Sequence, residues 1–94
     1  MVTKERALFI IEKELQNYNF RVFSFGGRSI WCHEKCYCII TFLECYSAFV
    51  IESTENRDEA EKGVFEDGEL FFISRLSEEE LMQKLKVELD FLTR

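Results

Sequence analysis

The 94 residues have room for one domain, taken as residues 1–94, and not for two. A 47% hydrophobic and 15% aromatic content, with four glycines and no proline, excludes a disordered tail and a collagen-like or low-complexity chain. Twelve basic residues against 18 acidic ones leave a net charge of −6, the wrong sign for direct binding of nucleic acid.

The first predicted element is a helix. Thr3 is placed to cap it, and Leu8, Ile11, Leu15 and Tyr18 recur at helical spacing. Its apolar run, Ala7 to Ile11, is closed by Glu12-Lys13-Glu14. A membrane span needs about 20 apolar residues, and the core of an export signal about 7–15. The run is too short for either, so the expected location is the cytoplasm, with no membrane partner.

Asn17 and Asn19 end the helix, and Phe20 to Phe25 reads as a strand broken by Gly26-Gly27. Ser29 to Cys32, Tyr37 to Leu43 and Tyr46 to Ile51 are short, β-rich and separated by polar residues. They predict an antiparallel meander. Val64 to Phe71 carries Asp67-Gly68 between strand-like flanks, which predicts a hairpin closed by a type I′ turn, its second strand running on through Ser74.

The last predicted element is again a helix. Ser77 and Glu80 have the spacing of a capping box, with Leu76 and Leu81 as hydrophobic staple. Leu81, Leu85, Leu89 and Leu92 then form one stripe, with Met82 beside it. The expected fold class is α+β: N-terminal helix, antiparallel meander of about five or six strands, C-terminal helix.

The charge is concentrated. Residues 52–69 hold eight acids and two bases, so this segment carries 2 − 8 = −6 and the rest of the chain is neutral. A solvated loop explains such a run, and a field for a basic protein partner explains it equally. In the predicted hairpin Glu66 and Glu69 face each other across the turn, a repulsion that favours the second reading. The candidate partner-binding residues are therefore Glu55, Asp58, Glu59, Glu61, Glu66, Asp67 and Glu69. The acids lack the alternating ligand pattern and central glycine of a calcium loop.

Cys32, Cys36, Cys38 and Cys45 lie within 14 residues, with His33, the only histidine, among them. Their spacing is not that of a zinc knuckle, which presents ligand pairs two to four residues apart on a tight turn. Buried thiols come first, a metal site second and a disulfide third. His33 adjoins Cys32, and in extended chain the two side chains point apart, which disfavours cysteine catalysis. There is no G-x-S-x-G, P-loop or G-x-G-x-x-G pattern, and Gly26-Gly27 reads as a turn before it reads as an anion cradle. The expectation is a protein that is not an enzyme and has no catalytic residue, metal or cofactor.

The strands are apolar on both faces: Tyr37, Ile39 and Leu43 point one way, Cys38, Ile40 and Phe42 the other. Two helices can lie on one face, leaving the second without a cover. Either each helix takes a face, or the sheet curls shut, or the second face meets a partner or a second copy of the chain.

The layout of a small acidic α-β-meander-α domain resembles immunity proteins of bacterial polymorphic or contact-dependent toxin systems. Phe65-Glu66-Asp67-Gly68-Glu69-Leu70, followed by Leu76-Ser77-Glu78-Glu79-Glu80-Leu81, is similar to the C-terminal half of such proteins. The resemblance implies an inhibitor that masks a toxin's active site, with an acidic face against a basic, nuclease-like cleft. It marks no individual binding residue. The alternatives are a phage-encoded inhibitor of a host defence nuclease, of the anti-CRISPR type, and a small metal-binding protein built on the Cys cluster.

Overall fold

The computed structural model describes residues 2–94. Helix α1 spans Lys4–Asn17, and the strands are β1 (Arg21–Phe25), β2 (Arg28–Cys32), β3 (Tyr37–Leu43), β4 (Ala48–Thr54) and β5 (Leu70–Phe72). A short helix α2 (Arg57–Lys62) lies between β4 and β5, and α3 (Glu78–Leu92) closes the chain. The strands form one antiparallel sheet in the order β1-β2-β3-β4-β5. This is the expected α+β meander between terminal helices, with five strands. No helix of the described residues is long and apolar enough to cross a membrane.

Both terminal helices begin as their sequences dictate. The Thr3 hydroxyl accepts the Arg6 N–H, and Ser77 and Glu80 make both bonds of the capping box. The buried side of α1 is Ala7, Ile10, Ile11, Glu14 and Leu15, so the helix is turned from the expected stripe; Leu8 and Tyr18 are only half-buried. Small Ala7 lets the helix approach closely, and Asn17 donates to the buried Glu14 carboxylate. In α3, Leu81, Leu85 and Leu89 are fully buried, Leu92 is half-buried and Met82 lies at the exposed margin.

The two helices run side by side in the same direction. Arg6 and Glu78 pair at their N-terminal ends through two hydrogen bonds, and the Tyr18 hydroxyl donates to Asp90 at their C-terminal ends, 2.7 Å away. Both cover one face of the sheet, packing on Trp31, Cys38, Phe49, Ile51 and Phe71. Cross-strand register puts those residues on one side: Trp31 lies opposite Cys38, Ile40 opposite Ile51, and Phe49 between Phe42 and Phe71.

The second face has a partial cover that the sequence reading did not include. Residues 55–63 contain α2, capped by Asn56, which accepts from the Asp58 and Glu59 N–H groups, and ended by Gly63 at φ 78°. Ala60 is buried on this side with Ile30, Ala48 and Val50.

The predicted hairpin at Asp67-Gly68 is not formed. Glu66 bridges Ser53, and Leu70 to Phe72 pair with Val50 to Ala48, so residues 66–72 all run along the same edge of β4. The pairing sum changes by one residue between these points, from 53 + 66 to 50 + 70, which makes Asp67-Gly68-Glu69 a bulge. Gly68 does not have the positive φ of a type I′ turn. It is needed because a Cβ there would collide with the Ile51 carbonyl oxygen. Strand β5 ends at Phe72, two residues short of the expected Ser74, where a turn begins. The two-residue hairpin with both central residues at positive φ is Gly26-Gly27, which joins β1 to β2.

Candidate partner-binding face

The acidic segment starts within the last three residues of β4, where Glu52 accepts the Thr41 hydroxyl. The Thr54 hydroxyl accepts the Asn56 N–H and donates to the Glu59 carboxylate, which fixes the turn into α2. Asp58 and Glu59 occupy the first turn of α2 and Lys62 the last, the arrangement the helix dipole favours. After α2 the chain returns to β4, where Glu66 and Ser53 exchange both backbone hydrogen bonds.

This path brings three of the seven expected residues together. Glu55, Glu59 and Glu66 line a cleft of about 780 Å³ with Ser53, Thr54 and Asn56, facing Phe91, Leu92 and Arg94 of the C-terminal end of α3. Lys35 and Cys36 complete its wall. Phe91 is 63% exposed there, with the Arg94 guanidinium 5.9 Å from the centre of its ring.

The other four residues are placed elsewhere. Glu61 pairs with Arg57 at 3.2 Å, and both line a second cavity of about 410 Å³ with Phe23, Phe25, Ile30, Cys32 and Tyr37. Glu69 is held against α3, its N–H donating to Glu88 and its carboxylate 3.7 Å from Lys84 Nζ. Asp58 and Asp67 are exposed and line neither cavity. Because the hairpin is absent, Glu66 and Glu69 do not face each other, and the repulsion inferred between them does not exist. Among the described residues, the ion pairs from this segment's carboxylates involve only Glu61 and Glu69. Most of the segment's negative charge is therefore left unneutralised.

The cysteines divide. Cys36 and Cys38 are buried with their sulfurs 3.9 Å apart, Cys32 lines the α2-side cavity, and Cys45 is exposed in the 3₁₀ turn beyond the other end of β3. All four are free thiols. The hydrogen bond between Cys36 and Cys38 holds Cys36 below the ordinary thiol range and pushes Cys38 up, with burial adding to the rise at Cys38. Burial also raises Cys32. Among the described residues, no three His, Cys, Asp or Glu side chains converge as metal ligands would. His33 is part of a turn: its Nδ1 accepts the Lys35 N–H, its own N–H donates to Cys36, and its ring stacks on Phe20 at 4.9 Å. Cys32 is the last residue of β2 and His33 lies in the turn beyond it, so the chain is not extended through the pair.

Sequence reasoning missed Lys35, Phe91, Leu92 and Arg94 as members of the acidic cleft. One signal was available. Phe91 falls off the Leu81-Leu85-Leu89-Leu92 stripe, and an aromatic side chain on the polar side of an amphipathic helix has no core to enter. No protein-family model matches the chain, and neither a curated protein nor a solved structure matches it.

Proposed function

We propose that the chain is a binding protein without catalytic activity, which engages a basic protein partner through the cleft between the β4–α2 turn and the end of α3. The observation that carries this reading is the convergence of Glu55, Glu59 and Glu66 on one cleft whose opposite wall presents the exposed ring of Phe91. Interfaces draw their affinity from a few buried aromatic or arginine anchors, and their association rate from charge complementarity around them. Here Phe91 is the anchor and the carboxylates supply the field, with Lys35 and Arg94 in the same lining offsetting part of it. The unpaired Asp58 and Asp67 add to that field from outside the cleft.

The resemblance to immunity proteins gives this binding a purpose: inhibition of a toxin whose basic active site the acidic cleft would cover. A phage-encoded inhibitor of a defence nuclease would use the same physics. The partner is expected to be captured by affinity purification from the source cells and to lose its activity on titration with the chain. Changing Glu55, Asp58, Glu59 and Glu66 together to their amides keeps side-chain shape and removes four charges. Retention of both capture and inhibition by that variant would refute the assignment of the cleft.

A further inference from the structure

The β1–β2 hairpin stands away from the rest of the sheet. β2 pairs with β3 only at Trp31–Cys38 and Cys32–Tyr37, and a cavity of about 470 Å³ lined by Arg28, Ser29, Ile39 and Thr41 opens between the strands beyond. β1 is exposed at all five residues, with Val22 50%, Phe23 56% and Phe25 48% exposed. It is also the end of the sheet, so its outer backbone edge has no strand beside it among the described residues. Open edges of this kind are templates for a further strand.

The backbone phase of that edge follows from the turn. A two-residue hairpin closes on a hydrogen-bonded pair, here Phe25–Arg28, so Phe23–Ile30 and Arg21–Cys32 are also hydrogen-bonded pairs. Val22 and Ser24 are then the residues of β1 whose N–H and C=O point outward. An antiparallel copy of β1 centred on Phe23 matches Val22 with Ser24 and Ser24 with Val22, using all four outward groups. Among the registers that satisfy these groups, it alone pairs every residue of the strand with another residue of the strand.

The side chains fit the same register. Phe23 meets its own copy at the two-fold axis, and Arg21 lies opposite Phe25 on both sides, a cation–π pairing. No like charges are opposed. Arg28, the other charge of the hairpin, is turned away, its guanidinium lying against Gly63 at the end of α2. We propose that the chain forms a two-fold dimer in which β1 pairs antiparallel with β1 of a second copy about Phe23, joining the two sheets edge to edge.

Sedimentation of the full chain from micromolar to millimolar concentration tests the assembly. A mass rising from monomer to dimer is expected, and a monomer throughout overturns the proposal. Raising the salt should strengthen this association, because each copy carries −6, whereas it should weaken binding of a basic partner. Phe23→Lys opposes two ammonium groups at the axis and should lower the dimerisation constant by roughly tenfold or more. Ser24→Pro removes an outward N–H that the monomer's own ladder does not use, and should have a similar effect. Unchanged dimerisation in both variants places the interface elsewhere and overturns the proposal. If either variant fails to fold, a cysteine introduced at the axis decides. Phe23→Cys in a background with both Cys32→Ser and Cys45→Ser should oxidise to a covalent dimer, because facing non-hydrogen-bonded residues have close side chains. Neither the exposed nor the half-buried native thiol then remains to compete. Phe25→Cys in the same background should not, and equal cross-linking of the two contradicts the register.

Discussion

The two faces of the sheet are built from similar residues and are finished differently. On the helix side Phe49, Ile51 and Phe71 are all buried, beneath Leu81, Leu85 and Leu89. On the other side Phe23 and Phe25 stay about half exposed although α2 crosses nearby. The difference is one of reach. Helices of 14 and 15 residues extend about 21–23 Å and can span the strands, whereas the six residues of α2 extend about 9 Å. One face is therefore closed by the two long helices, and the other is covered only in part, with the apolar side chains of β1 left open.

Core truncation separates the faces most sharply. Leu85→Ala should cost about 2–5 kcal/mol in denaturant unfolding, because the side chain is fully buried between helix and sheet. Phe25→Thr on the opposite face should change stability by no more than about 0.5 kcal/mol when measured at low protein concentration. Similar losses for both would contradict the division.

The glycines give a smaller, backbone version of the comparison. Gly68→Ala drives a Cβ into the Ile51 carbonyl at the edge of β4 and should destabilise by about 1–3 kcal/mol. Gly27→Ala meets nothing in space, and its cost, about 1–2 kcal/mol, comes only from the positive φ of the turn.

Smaller again is the cap of α3. Ser77→Ala should cost about 1 kcal/mol. The backbone N–H of Ser77 donates to the Glu80 carboxylate and holds its pKa below the ordinary value, so this bond stabilises fully above the normal carboxylate range. Its contribution is lost as the pH falls through the depressed folded value, and Glu80→Gln should flatten that part of the acid unfolding profile.

The smallest effect expected is spectroscopic. The hydrogen bond to Asp90, aided by burial, pushes the Tyr18 hydroxyl up to about 12. The α1–α3 tie is then complete below the ordinary tyrosine pKa of about 10 and is lost as the pH rises through 12. Ultraviolet titration should show a late tyrosine step that Tyr18→Phe abolishes.

The parts of the fold set by local rules were readable in the sequence: Thr3 and Ser77 as caps, the leucine stripe of α3, the meander and the concentration of charge in 52–69. What could not be read depends on contacts between distant residues. Asp67-Gly68 has the local grammar of a turn, but pairing of both its flanks with β4 converts it to a bulge, and Gly68 is required by a backbone approach from Ile51. Gly26-Gly27 has weaker grammar and forms the tight turn because β1 and β2 pair only with their near neighbours. The site was half legible for the same reason. Its carboxylates lie close in sequence, whereas Phe91 and Arg94 reach the cleft only because α3 packs across the sheet.

The most direct measurement of the cleft's role is the association rate of the captured partner as a function of ionic strength, for the parent chain and for the variant with Glu55, Asp58, Glu59 and Glu66 changed to amides. Electrostatic steering through the cleft should give the parent a rate that falls steeply with salt, and the variant a rate lower by about tenfold or more at low salt with a flatter dependence. Equal rates and equal salt slopes for the two proteins would contradict the cleft as the partner-binding face.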